Sequence, residues 1–124
     1  MKILLVEDQL INQKLMKSVL EKGGYEVTPA NDGESALNLL KDNSYDIILL
    51  DIQMPEVNGY EVAIRLREME KETGTYTPII AMTANSFAGD REKCLAAGMD
   101  DYIPKPLNMS DIHGRIETVI KNKK

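Results

Sequence analysis

Ile47-Ile48-Leu49-Leu50-Asp51-Ile52-Gln53-Met54-Pro55 is the stretch whose reading decides the fold. Four aliphatic residues in a row leave no polar face, so the run predicts a strand covered on both sides, as in a parallel sheet. It stops on a carboxylate, and Pro55 turns the chain away. The same layout recurs three times. Ile3-Leu4-Leu5-Val6 ends in Glu7-Asp8, Ile79-Ile80-Ala81-Met82 ends in Thr83, and Tyr102-Ile103-Pro104 leads into Lys105-Pro106. Polar groups at the carboxyl ends of neighbouring parallel strands share one crevice, where ligands of open α/β sheets gather.

Working outward, strands are predicted over Lys2–Val6, Tyr25–Ala30, Asp46–Leu50, Pro78–Met82 and Asp100–Ile103. The second alternates and contains Pro29, which suits a sheet edge. Helical periodicity fills the gaps. Ile11, Leu15, Met16, Val19 and Leu20 trace one face before the stop at Gly23-Gly24. Ala36, Leu37 and Leu40 follow Asp32, a plausible N-cap. Asn58 and Glu61 have capping-box spacing ahead of Val62, Ala63, Leu66 and Met69. A fourth helix is expected from near Ser86 to Gly98, and a fifth behind Ser110 with Ile112, Ile116, Val119 and Ile120 inward. Five β-then-α units imply an α/β, doubly wound, five-stranded parallel sheet in the flavodoxin-like order 2-1-3-4-5, with helices on both faces. In that order the first and third strands are neighbours, so Glu7-Asp8 faces Asp51.

The chain of 124 residues is expected to form one domain, 1–124, with its own core. Its net charge of -5 argues against nucleic acid as a partner, which requires clustered Lys and Arg. The single cysteine, Cys94, excludes an internal disulfide and reads as a small core filler in a reducing compartment. No apolar stretch reaches membrane-spanning length and no secretion signal is evident, so a cytoplasmic location without membrane contact is expected.

Three carboxylates at one crevice repel one another, by about 1 kcal/mol per pair in water at ~4 Å and by ~4 kcal/mol at an effective dielectric of 20. A hard divalent cation removes that cost. Magnesium suits the donor set, with manganese able to substitute. The expected ligands are the carboxylates of Asp8 and Asp51 and the backbone carbonyl of Gln53, with Glu7 acting mainly through water. Calcium lacks an EF-hand loop here, and zinc lacks a Cys/His cluster. Beside such a cation, Asp51 can attack phosphorus and become an acyl phosphate. Lys105, the Thr83 hydroxyl and the backbone N–H groups of Ile52 and Ala84 would neutralise the phosphoryl oxygens.

At these residues the chain resembles the receiver domain of two-component response regulators over its whole length. The matching segments are Leu4–Asp8, Leu49–Pro55 with Asn58-Gly59, Met82-Thr83-Ala84 and Asp101–Pro106. Asn12-Gln13 and Cys94–Tyr102 resemble receivers attached to hybrid sensor histidine kinases. Glu7 stands where many members carry Asp. The resemblance implies that Asp51 takes a phosphoryl group from a phosphohistidine on a sensor histidine kinase or histidine phosphotransfer protein. It also implies magnesium dependence and no enzymatic activity beyond self-phosphorylation and autodephosphorylation. A cis peptide between Lys105 and Pro106 is implied too. Thr83 and Tyr102 would act as the switch, read by a downstream protein at the surface of the fourth helix, fifth strand and fifth helix. The domain would work as a monomer or as a phosphorylation-dependent dimer.

Two other classes fit less well. A flavin-binding module needs Ser, Thr and Gly in its first β–α turn, and here that turn is Glu7-Asp8-Gln9-Leu10. A phosphatase of the haloacid dehalogenase type needs a second Asp two residues after the nucleophile, where Gln53 stands. A phosphorylation-independent pseudo-receiver is disfavoured because every pocket residue is present. His113, the only histidine, is expected on an exposed helix face rather than as a phosphohistidine.

Overall fold

Five short strands, each followed by a helix, alternate along the chain in a computed structural model that describes residues 1–52, 59–83, 90–104 and 109–121. The elements are β1 (Lys2–Val6), α1 (Leu10–Lys22), β2 (Glu26–Ala30), α2 (Gly33–Asp42), β3 (Ile47–Asp51), α3 (Gly59–Thr73), β4 (Ile79–Thr83), α4 (Asp90–Ala96), β5 (Asp101–Pro104) and α5 (Met109–Lys121). All strand pairs are parallel, in the order β2-β1-β3-β4-β5. This is the flavodoxin-like α/β fold, and β2 with its Pro29 lies at an edge as expected.

Alternation along the strands divides the core in two. Leu4, Val6, Ile48, Leu50, Ile79 and Ala81 pack against Ala36 and Leu37 of α2, Val62, Ala63 and Leu66 of α3, and Cys94 of α4. Ile3, Leu5, Ile47, Leu49, Ile80, Met82 and Ile103 pack against Met16 and Leu20 of α1 and Ile112, Ile116 and Val119 of α5. The sheet is thus sandwiched, which is why β1, β3 and β4 read as unbroken apolar runs. Cys94 is buried in the first cluster, the core position expected of it.

Several boundaries differ from the sequence reading. β2, β3, β4 and β5 each start one residue later than expected, and the last three extend one residue further, so Asp51 and Thr83 are paired strand residues. α5 begins at Met109 and takes Ser110 into its first turn. Asn58 and Ser86 lie outside the described residues. On α1 the expected inward face is rotated. Gln13, Met16 and Leu20 are buried, whereas Ile11 and Leu15 are exposed, together with Leu10. Apolar residues at 10, 11, 15, 16, 19 and 20 span too wide an arc for one helix face, and the sheet takes only part of it. The Asp32 cap is formed: its Oδ1 accepts from the Ser35 N–H at 2.7 Å, and the local bonds hold its carboxyl below the usual range.

At the amino-terminal end of the sheet a polar network joins α3 to the entries of β4 and β5. The Arg67 guanidinium donates to Glu70 (2.6 Å), Asp100 (3.0 Å) and the carbonyls of Gly98 and Thr77 (2.8 Å each). It lies 4.1 Å above the Tyr76 ring. Asp100 also accepts from the Ile79 N–H and the Tyr76 hydroxyl, and Glu70 accepts from the Thr77 N–H. Desolvation, then the Asp100 hydrogen bond, pushes the Tyr76 phenol up to about 12.

Candidate functional site

β1 and β3 are neighbours with Val6 opposite Leu50. One step further along that register puts Glu7 beside Asp51. Asp8 follows at the turn into α1. The three carboxylates each present an oxygen within 4.8 Å of the others. Among the described residues this is the one grouping of three or more potential metal ligands. Glu7 and Asp51 are buried and Asp8 is half-buried, so the cluster is a shielded recess rather than an acidic surface patch.

The donor atoms fit a hard cation. Oxygens on one octahedral magnesium ion sit ~2.1 Å from the metal, hence roughly 3–4 Å from each other, so a small inward adjustment or one bridging water closes the set. The clustered donors among the described residues are all carboxylate oxygens, which disfavours zinc. Thr83, fully buried, ends the adjacent β4 one residue past Met82, itself paired with Asp51. Tyr102 on β5 is half-buried and packs against the core cluster under α2, α3 and α4. The Ile52 N–H donates to the Met82 carbonyl at 3.2 Å, so serving a phosphoryl oxygen would mean exchanging that bond. Gln53, Ala84, Lys105 and Pro106 lie outside the described residues.

Two positions near the cluster were not assigned a role from the sequence. Gln13 is buried on α1 and reaches back to the β1–α1 turn; an amide on a helix face otherwise made of Met16 and Leu20 was the available signal. Gly59 opens α3 against the carboxyl end of β3. A Cβ there would sit 2.6 Å from Ile52 Cα and 2.8 Å from the Asp51 carbonyl oxygen, both backbone atoms that cannot swing aside. Gly59→Ala is therefore expected to cost about 1–3 kcal/mol and to displace the Asp51 carboxylate from the cluster. Thermal melting and divalent-cation affinity, measured together, check both effects.

The chain matches the response regulator receiver domain family over residues 3–117. Among curated proteins it is 44% identical over 124 residues to hybrid signal transduction histidine kinase I of Dictyostelium discoideum, covering 96% of this chain and 7% of that protein. The chain thus spans a small fraction of that much longer relative. Among solved structures, the receiver domain of a Pseudomonas aeruginosa sensor histidine kinase has a TM-score of 0.83 and 40% identity over 97% of both chains. That structure holds a magnesium ion in its active-site cleft. A Saccharomyces cerevisiae receiver domain, co-crystallised with a histidine phosphotransfer protein, has a TM-score of 0.87 and 31% identity, covering 96% of this chain and 88% of that one.

Proposed function

Because the chain belongs to the response regulator receiver domain family, with hybrid sensor histidine kinases among its relatives, we propose that residues 1–124 are one receiver unit and that Asp51 is its phosphoacceptor. The observation that carries this reading is the convergence of Glu7, Asp8 and Asp51 within 4.8 Å. In the reaction an Asp51 carboxylate oxygen attacks phosphorus, forming an O–P bond. The P–N bond of a phosphohistidine breaks and the imidazole nitrogen leaves with the electron pair. Water later attacks the same phosphorus and releases phosphate, restoring the carboxylate.

Glu7, Asp8, Asp51 and the Gln53 carbonyl would hold magnesium, whose charge neutralises the site and one phosphoryl oxygen. Thr83 donates its hydroxyl, and Lys105 and the Ala84 and Ile52 amides serve the remaining oxygens. The donor is a histidine phosphotransfer protein or a sensor histidine kinase carrying a phosphohistidine. Exposed Leu10, Ile11 and Leu15 start immediately after the acidic turn, so a helical donor reaching Asp51 would cover them.

Phosphorylation adds a charge of about -1.5 to -2 and up to three charge-assisted hydrogen bonds of ~1.5–3 kcal/mol each. That sum rivals the ~5.5 kcal/mol needed to invert a 1:99 equilibrium. Thr83 moving toward the phosphoryl group would free space for Tyr102, re-forming the α4, β5 and α5 surface for a downstream protein. A small phosphodonor with Mg2+ is expected to add one phosphate by intact mass, and a chelator to prevent it. Equal labelling with and without the cation would overturn the proposal.

A further inference from the structure

The geometry points to Gln13 as a positioning residue for the cation site, a role that rests on the reading of Glu7, Asp8 and Asp51 given above. Its side chain is buried, and its amide nitrogen lies 3.1 Å from the Glu7 carbonyl, 3.3 Å from the Ala30 carbonyl and 2.9 Å from Asn31 Oδ1. Three acceptors around one atom fix which end of the carboxamide is nitrogen. Two hydrogens serve three acceptors, so one is shared.

The Glu7 carbonyl belongs to the peptide unit that joins Glu7 to Asp8. The Glu7 N–H, on the other side of the same residue, donates to Ala30 at 3.1 Å. Gln13 therefore holds Glu7 at its carbonyl and is anchored beside it on the Ala30 carbonyl, which also accepts from the Glu7 N–H. In the metal-free protein three clustered carboxylates push apart, and the half-buried Asp8 at the turn is the one with room to leave. Rotating the Glu7–Asp8 peptide would swing Asp8 outward. That rotation breaks a buried hydrogen bond, which is costly because the stranded carbonyl finds no water. Gln13 holds Asp8 against the repulsion, so the cation meets a site already assembled. Side chains that orient metal ligands in this way typically contribute 10–100-fold to affinity.

The test uses the whole chain in two variants. Gln13→Met keeps the volume and removes the donor. Gln13→Asn keeps the carboxamide and withdraws it by one methylene, guarding against a variant that fails to fold. Magnesium affinity is measured by titration calorimetry well below each melting midpoint, and the metal-free midpoint is recorded separately. Both variants are expected to bind Mg2+ 10–100-fold more weakly while remaining folded. A lowered midpoint with affinity within threefold of the wild type would overturn the positioning role and leave a purely structural one. A wild type that takes up no Mg2+ would overturn the cation-site reading itself, and the role of Gln13 with it.

Discussion

Asp51→Asn is expected to melt above the wild type when divalent cations are absent and below it when they are saturating. Asn keeps the shape of the side chain and deletes one of three charges in a recess where Asp51 is 2% exposed. Two unit charges about 5 Å apart repel by roughly 1 kcal/mol in water and roughly 3 at an effective dielectric of 20. Removing one carboxylate relieves two such pairs and gives up the other interactions of Asp51, which offset part of the gain, so a metal-free gain of about 1 kcal/mol is expected, a few degrees for a domain of this size. Magnesium at a hundredfold excess over its Kd adds about 2.7 kcal/mol to the wild type and nothing to a variant that no longer binds it. The melting curves should therefore exchange order on adding Mg2+, and the variant should gain no phosphate. A variant less stable than the wild type in both conditions would mean that Asp51 is a structural carboxylate.

Arg67→Met is expected to lose about 3–5 kcal/mol of stability, lowering the midpoint by roughly 10–20 °C, with Mg2+ affinity of the folded protein unchanged. The side chains of Arg67 and Glu70 are 17% and 8% exposed, and Asp100 is 20% exposed. Taking away the guanidinium leaves two poorly solvated carboxylates facing each other and strands the Gly98 and Thr77 carbonyls. Lysine should rescue little of the loss, because only the planar guanidinium fork serves four acceptors at once. Adding Asp100→Asn to Arg67→Met should cost less than the two separate losses summed, since one network underlies both. The network sits at the end of the sheet opposite the acidic cluster, so chemical denaturation and metal titration should part company. A loss below 1 kcal/mol would show these contacts to be as weak as exposed ion pairs.

Strand order and the acidic cluster were readable in the sequence for the same reason. β1, β3 and β4 are covered by helices on both sides, so each is apolar throughout, and the first polar residue marks the place where the strand leaves the core. Glu7, Asp51 and Thr83 announce themselves as those first polar residues. Strand limits slipped by one because backbone pairing continues past the apolar run, as with Asp51 opposite Met82. The face of α1 was misjudged because burial there follows hydrogen bonding as well as hydropathy. Gln13 turns inward to two carbonyls, and Ile11 and Leu15 turn outward as a consequence. The Arg67 network was invisible for a different reason. Its members at 67, 70, 76, 98 and 100 meet only through the path of two loops, which no local pattern encodes.

The most direct test of the account is to locate the phosphoryl group chemically. Protein treated with a small phosphodonor and Mg2+ would be reduced with borohydride, which converts an aspartyl phosphate to homoserine, and then digested and sequenced by mass spectrometry. Homoserine at position 51, lost when Mg2+ is withheld, is the expected result. Homoserine at another aspartate, or a phosphate that survives borohydride on a hydroxyl or imidazole side chain, would contradict it.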